Sequence, residues 1–329
     1  MTTMRAVVIT SPGGPEVLQI EERPAPEPSR GEIRVRVAAS ALNRADISQR
    51  LGRYPAPPGS PAEIPGLEYA GEVESCGSDA GLWHPGDRVM GIVGGGGHAE
   101  YVTVHEREAM RVPANLTWEE AAAVPEAFLT AYDALFTRLH VAAGETLLIH
   151  AVGSGVGTAA LQLASVAGVR SIGTSRSSEK LDAAAALGLD EGVNTARGDW
   201  EQEIVRVAGA RGVQAILDLV GGTLFAANLN VLPARGRLVL VGLTAGATSE
   251  IDLRLVLRKR LKIEGTVLRA RPIEEKIELA REFSERMLGF FEQRRLKAVV
   301  HSVRSFEEIC EAHQEMEANR NFGKIVLRW

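Results

Sequence analysis

Glu145–Ala160, ETLLIHAVGSGVGTAA, is the stretch whose reading decides the fold. Thr146-Leu147-Leu148-Ile149 is a short apolar run with a β-branched bias, of a length that suits a strand buried on both faces. A glycine-rich turn follows, and the small residues and leucines of GTAALQLASVAG then predict a helix. Within the turn, Gly155-Val156-Gly157-Thr158-Ala159-Ala160 fits G-x-G-x-x-A, a form of the dinucleotide-binding fingerprint. The first glycine is expected to permit the tight turn. The second would let the backbone approach a pyrophosphate, and Ala160 would let the helix sit close to its strand. Free N–H groups and the positive dipole end make the helix start a phosphate site. Ser154, Gly155, Val156 and Gly157 are therefore candidate cofactor contacts. His150, at the strand's end, reads as a packed or backbone-bonded histidine rather than a catalyst.

Downstream the pattern alternates between strand and helix. Strands are predicted at 146–151, 169–174, 191–195, 213–219, 236–242 and 261–268, with one intervening helix starting at Asp199 and Gln202 in capping-box position. Six strands with crossover helices predict an α/β, doubly wound parallel sheet. Upstream, the first ~115 residues read as short strands with turns, which suggests a small barrel or sandwich. Glu32-Ile33-Arg34-Val35-Arg36-Val37 alternates like a half-buried strand, and 66–77, 86–93 and 98–104 are further strand candidates. Asn43 to Tyr54 is a short polar helix or loop, followed by the proline-rich segment Pro55 to Pro65. Gly94-Gly95-Gly96-Gly97 reads as a flexible loop. Thr117 and Glu120 have capping-box spacing, and Pro125 suits the first turn of a helix through EAFLTAYDALF.

After Arg271 a long amphipathic helix is expected, with Ile273, Ile277, Ala280, Met287 and Phe291 on one face. AVVHSV, a helix from Ser305 to about Asn319, and GKIVLRW are expected to return to the first domain, leaving a cleft between the two. The expected division is 1–125 with 295–329, and 126–294.

Composition limits the partners. The 329 residues are 45% hydrophobic and 24% charged, with a net charge of −5 and no acidic or basic block. Nucleic acid and anionic membrane are not expected partners. MTTMRAVVIT lacks a signal-peptide apolar region, and no apolar run approaches the ~18 residues of a membrane span, so a soluble cytoplasmic protein is expected. Two cysteines, Cys76 and Cys310, supply neither a disulfide framework nor a four-thiolate zinc site.

Several stretches together carry a family likeness: AASALNRADISQRLGRYPAPPG (38–59), EAFLTA (126–131), IHAVGSGVGTAALQLA (149–164), LDLVGG (217–222), GRLVLVGL (236–243) and EAHQEMEANRNFGKIVL (311–327). With them the chain resembles the zinc-independent quinone oxidoreductases of the medium-chain dehydrogenase/reductase superfamily, of the p53-inducible type. The resemblance implies a GroES-like β-barrel catalytic domain and a Rossmann domain. It also implies NADPH as cofactor, reduction of quinones or related acceptors, and a homodimer or homotetramer. Strand 261–268 is expected at the sheet edge, where an apolar edge invites pairing into a two-fold dimer.

An NAD-specific site places an acid about 20 residues after the first glycine. Here that region reads Gly173-Thr174-Ser175-Arg176-Ser177-Ser178-Glu179-Lys180, with no acid at the strand end. Ser175, Arg176 and Lys180 can donate to a 2′-phosphate, Lys180 standing where the family motif has its phosphate-binding lysine. NADPH is expected, with NADH weaker; Ser177 is also a helix cap. Relatives often carry Asn-Tyr after the third strand where this chain has Asn194-Thr195, which loosens the discrimination.

Zinc-dependent members of the superfamily bind catalytic zinc at positions matching Asn43 and Leu67, and leucine cannot ligate while asparagine is a poor zinc ligand. His84, His98 and His105 are scattered without ligand spacing and read as surface or turn residues. No metal is expected. By resemblance Asn43, Asp46 and Tyr54 face the substrate. Tyr54 would hydrogen-bond the acceptor oxygen or guide a proton, or else pack beside Pro55–Pro58. Asp46 equally suits a cap or a pairing with Arg50. Thr130 matches a threonine near the nicotinamide, or back-bonds to its own helix. The backbone at Val241-Gly242-Leu243 would meet the carboxamide, and Gly323-Lys324 resembles a C-terminal cofactor contact, with a plain surface lysine as the alternative. An NADPH-dependent alkene or enone reductase shares all these features. A cofactor-binding structural or RNA-binding protein is the non-enzymatic alternative, its RNA version disfavoured by the lack of a basic aromatic patch.

Overall fold

Residues 2–329 are described by a computed structural model. They divide into two units, one made of the residues up to Leu129 with Leu268–Trp329, the other of Thr130–Val267. The sequence-based boundary at 294 thus moves to about the start of the long helix.

In the first unit, β1 (Thr3–Ile9) and β2 (Leu18–Pro24) form an antiparallel pair. β3 (Glu32–Ala41) buries Ile33, Val35 and Val37 and turns Arg34 and Arg36 outward, the alternation its sequence predicts. Helix α1 (Arg44–Arg50) follows directly. β4 (Glu68–Cys76), β5 (Arg88–Ile92), β6 (Tyr101–His105) and β7 (Met110–Arg111) continue the unit, β3 pairing with both β4 and β6. Helix α2 (Trp118–Ala122) starts on the predicted capping box: Glu120 N–H donates to the Thr117 hydroxyl and Thr117 N–H to the Glu120 carboxylate. Helix α3 (Pro125–Tyr132) starts at Pro125, as expected from its fixed φ.

The glycine run is packed rather than loose. Gly95, Gly96 and Gly97 are buried, and a Cβ on Gly97 would lie 2.6 Å from the Glu68 carbonyl oxygen. Here glycine serves close backbone approach, which corrects the flexible-loop reading.

The second unit is the predicted alternation. It contains β8 (Thr146–Ile149), α4 (Gly155–Val166), β9 (Arg170–Ser175), α5 (Ser178–Ala185), β10 (Glu191–Asn194) and α6 (Trp200–Ala208). Then come β11 (Ala215–Asp218), α7 (Thr223–Val231), β12 (Arg237–Leu240), α8 (Leu253–Lys259) and β13 (Lys262–Gly265). All strands are parallel, in the order β10-β9-β8-β11-β12-β13. The central β8 and β11 are wholly buried, and β13 is the edge with every residue exposed. Helix α6 does start after Asp199, but the Asp199 side chain makes no cap bond, so the predicted box is not formed.

The chain then rejoins the first unit. Helix α9 (Ile273–Glu292) buries Ile277, Ala280, Phe283, Leu288 and Phe291. Ile273, expected on that face, is 42% exposed, because the buried stripe begins one turn later. Phe291 meets Phe128 of α3 edge-on, with ring centroids 4.9 Å apart, which ties this helix to the first unit. β14 (Val300–Ser305), α10 (Ile309–Glu317) and β15 (Lys324–Arg328) complete the larger sheet, ordered β14-β15-β3-β4-β5-β7. Their return to the N-terminal unit is as expected.

Candidate active-site residues in each unit

In the second unit the turn between β8 and α4 is set by backbone packing. Ser154 caps α4, its hydroxyl accepting from Gly157 N–H at 3.0 Å. A Cβ on Gly157 would lie 2.5 Å from the Ala151 carbonyl oxygen and 2.7 Å from that of Val152. Gly157 is therefore required by the turn's own backbone, beyond any need for a ligand to come close. Gly155 does not adopt a positive φ; the left-handed residue of the turn is Ala151, at φ +50°. The tight turn thus depends on Ala151 where the first glycine was expected to supply it. The amides of Gly155 and Val156 make no hydrogen bond with other described residues and stand at the start of a helix of 12 residues. That is the arrangement a diphosphate needs.

Ser175 ends β9 and is aligned in register with Asn194 at the end of β10. Arg176 beside it is exposed and Lys180 half-buried. Ser177 caps α5 through Lys180 N–H at 3.2 Å, as expected, and its own hydroxyl donates to Glu179 at 2.5 Å. Asn194 donates to the Ser178 hydroxyl at 3.1 Å. The Ser175, Arg176, Lys180 and Asn194 candidates therefore gather at the carboxyl ends of two neighbouring strands, where doubly wound sheets bind ligands. Thr130 is buried at 6% exposure, while Leu243 beyond β12 is 50% exposed.

His150 is buried, but its partners are side chains rather than backbone. Asn228 donates to the Asp218 carboxylate at 3.0 Å, so its oxygen accepts from His150 Nε2–H at 2.7 Å. His150 Nδ1 then accepts from Thr174 at 2.8 Å. Burial lowers the His150 pKa against the pull of Asp218, which keeps the ring neutral. Asp218 also accepts from the amides of Val220 and Gly221, both at 2.8 Å. The chain of four side chains thereby fixes the loop after β11.

The first unit holds a denser polar cluster that local sequence did not reveal. Lys324 is 4% exposed, and its ammonium donates to Leu42 O at 2.7 Å, Asn43 Oδ1 at 2.6 Å and Glu68 Oε1 at 2.7 Å. All three of its donors are used. Lys324 is therefore neither a surface lysine nor free to contact a cofactor, which corrects both readings. Asn43 donates to Glu68 Oε1 at 2.9 Å, and Glu126 N–H donates to Glu68 Oε2 at 2.8 Å.

Asp46 is fully enclosed and does not pair with Arg50. It accepts from the amides of Asn43 at 2.7 Å and Gly66 at 3.1 Å, capping α1. Burial pushes its carboxyl up, but His98, 3.7 Å away, and the Asn43 amide outweigh this and hold it below the usual range. Asp46 thus positions the α1 start rather than presenting an oxygen outward. His98, expected at the surface, is wholly buried; the Ser40 hydroxyl donates to Glu68 O at 2.7 Å and lies 2.9 Å from His98 Nδ1. Arg50 instead pairs with Glu317 and donates to Gly13 O at 3.0 Å and His313 Nδ1 at 3.1 Å.

Tyr54 is partly exposed, with the Arg269 guanidinium 5.1 Å above its ring. Arg269 is fixed by Gly94 O at 2.7 Å, Gln49 Oε1 at 2.6 Å and the Tyr54 carbonyl at 3.2 Å. Burial raises the Tyr54 phenol pKa, opposed by Arg269.

The residues matching zinc ligands do not suit the metal. Leu67 is an apolar core residue at 2% exposure, and Asn43 is committed to Glu68 and Lys324. Among the described residues no group of three or more His, Cys, Asp or Glu side chains could hold a metal ion. No described helix is long and apolar enough to cross a membrane.

Residues 155–285 match the zinc-binding dehydrogenase family and residues 29–114 the alcohol dehydrogenase GroES-like domain. The chain is 31% identical to the mouse (Mus musculus) synaptic vesicle membrane protein VAT-1 homolog-like, over 98% of this chain and 81% of that protein. It is also 31% identical to a Pseudomonas aeruginosa quinone oxidoreductase, over 96% of each. Among solved structures, an NAD-dependent alcohol dehydrogenase aligns with a TM-score of 0.88 and 35% identity, over 99% of this chain and 100% of that one. A mycobacterial protein solved in complex with NADPH aligns at 0.87 and 30%, over 99% and 100%.

Proposed function

Because this chain belongs to the medium-chain dehydrogenase/reductase family, of quinone oxidoreductase type, and is an oxidoreductase, we propose that it reduces quinones with NADPH and without a metal. The observation carrying the cofactor choice is the set Ser175, Arg176, Lys180 and Asn194 at the ends of β9 and β10, with no acid at the β9 end. Amides at the start of α4 would hold the diphosphate, and the hydroxyl, guanidinium and ammonium groups of Ser175, Arg176 and Lys180 would hold the 2′-phosphate. The NADPH complex of a relative agrees with this reading. Bound cofactor supplies the hydride.

The chain's own part is positioning and charge control. Without a Lewis acid, a conjugated acceptor that spreads its own developing charge is the substrate class this cluster suits. Tyr54 and Arg269 offer a polar edge for the acceptor oxygen, and Asn43, anchored by Lys324 and Glu68, keeps α1 in place. Thr130 and the backbone at Leu243 are assigned to the nicotinamide end. An enone reductase, with hydride going to the carbon β to a carbonyl, is the second reading, because the same polar groups serve an enolate oxygen.

A homodimer forms through β13, whose four residues are all exposed on the sheet edge. Steady-state oxidation of NADPH and of NADH against 1,2-naphthoquinone and an alkenal tests the assignment. Preference for NADPH and quinone is expected. Inertness toward every acceptor with both cofactors would refute it.

A further inference from the structure

Glu126 is the one member of the first unit's carboxylate cluster that is not wholly buried. Asp46 and Glu68 are wholly buried, with their oxygens committed to amides, Asn43 and Lys324. Glu126, in the first turn of α3, is partly exposed, and its carboxyl accepts no hydrogen bond from the described residues. Its own N–H donates to Glu68 Oε2 at 2.8 Å, which anchors the start of α3 on a buried carboxylate. The charged and titratable groups around it come from several elements: Glu68 of β4, Lys324 of β15, Asp46 of α1, Tyr54 and Arg269. A carboxyl placed there has no task in holding the fold, yet the fold surrounds it with groups that tune its proton.

We propose that Glu126 is the proton donor of the reaction, its carboxyl O–H protonating the acceptor oxygen. The step rests on the reductase reading and deepens it. A quinone that has received a hydride, with its two electrons, carries a negative charge on oxygen. The Glu126 O–H bond breaks, a new O–H bond forms on that oxygen, and the bonding pair stays on the carboxylate. Water then returns the proton, so one quinone, one hydride and one proton give one hydroquinone. In an enone the same transfer goes to the enolate oxygen.

Burial, reinforced by the Glu68 carboxylate and opposed by Lys324, raises the Glu126 pKa to about 8. The group is therefore protonated at neutral pH and recharges easily, as a general acid must. The Tyr54 phenol, partly exposed and with its pKa raised by burial, is a poorer donor, and orienting the acceptor oxygen is the role left to it.

The test compares wild type with Glu126→Gln and Glu126→Asp, using carboxyl titration by 13C NMR, NADPH binding by fluorescence, and pH profiles of kcat/KM. Expected for the resting wild type is a carboxyl resonance, lost in Glu126→Gln, that titrates far above the ordinary glutamate range. Its kcat/KM should fall as pH rises through about 8. Glu126→Gln should lower kcat/KM at pH 7 by roughly 100-fold or more, with a flat profile, and leave NADPH affinity unchanged. Glu126→Asp should restore part of the rate together with the pH limb. An active wild type whose rate and profile survive Glu126→Gln would overturn the donor role alone, as would a Glu126 resonance titrating near 4–5. A wild type inert toward quinones and enones would overturn the underlying reductase reading as well.

Discussion

Lys324 Nζ lies 2.7 Å from Glu68 Oε1, with side chains 5% and 0% exposed. The last strand of the chain is thereby bonded to the first residue of β4. Breaking one half of a buried pair leaves the other charge uncompensated, at about 3–5 kcal/mol. Lys324→Met is therefore expected to lose stability on that scale in urea unfolding. NADPH affinity should change far less per surviving folded molecule, because the ammonium has no donor left for a phosphate. A large loss of NADPH affinity with unchanged stability would restore Lys324 as a cofactor contact.

Lys180 should behave in the opposite way. A hydrogen bond to a charged group contributes about 1.5–3 kcal/mol, so Lys180→Ala should weaken NADPH binding roughly 10- to 100-fold. NADH should be affected much less, and melting temperature little, since the residue is half-buried on a short surface helix. Equal losses for both cofactors in a binding titration would remove Lys180 from the 2′-phosphate site.

Gly157→Ala tests the turn itself. The added methyl would stand 2.5 Å from the Ala151 oxygen, so the α4 start must shift away from β8. Lower thermal stability even without cofactor is the expected result, together with weakened binding of NADPH and NADH alike. Retained stability with lost binding would mean that this glycine serves only the ligand.

His313 makes the protein sensitive to acid. Burial pushes its pKa down to about 3, and Arg50 donates to its Nδ1. The folded pKa is depressed, so the ring is neutral when folded but takes a proton when unfolded below about 6.5. Stability is then lost progressively as pH falls from about 6.5 toward 3, each pKa unit being worth about 1.4 kcal/mol. His313→Gln, which can still accept from Arg50, should flatten the stability profile in that window. An unchanged profile in denaturation at pH 4 and pH 7 would contradict this.

Much of the second unit was legible because its signals are local. The apolar run 146–149 and the Ser154 and Ser177 caps each involve residues within a few positions of one another, and a periodic pattern reports them directly. The Thr117–Glu120 box of the first unit was legible for the same reason. Asp199 shows the limit of the same logic: right spacing, no bond. The Gly94–Gly97 run looked loose because glycine names freedom, while its packing against Glu68 is long-range.

The linear order of residues thus determined the alternation of strands and helices, the glycine turn and the acid-free end of β9. Those follow from backbone sterics and the 3.6- and 2-residue repeats. Only the folded chain decided that Lys324, Asn43, Glu68 and Glu126 share one polar cluster, since the Lys324–Asn43 bond alone closes 281 positions. Burial sets the charge and the partners of such groups, and burial belongs to a residue's spatial neighbours, not to its place in the chain.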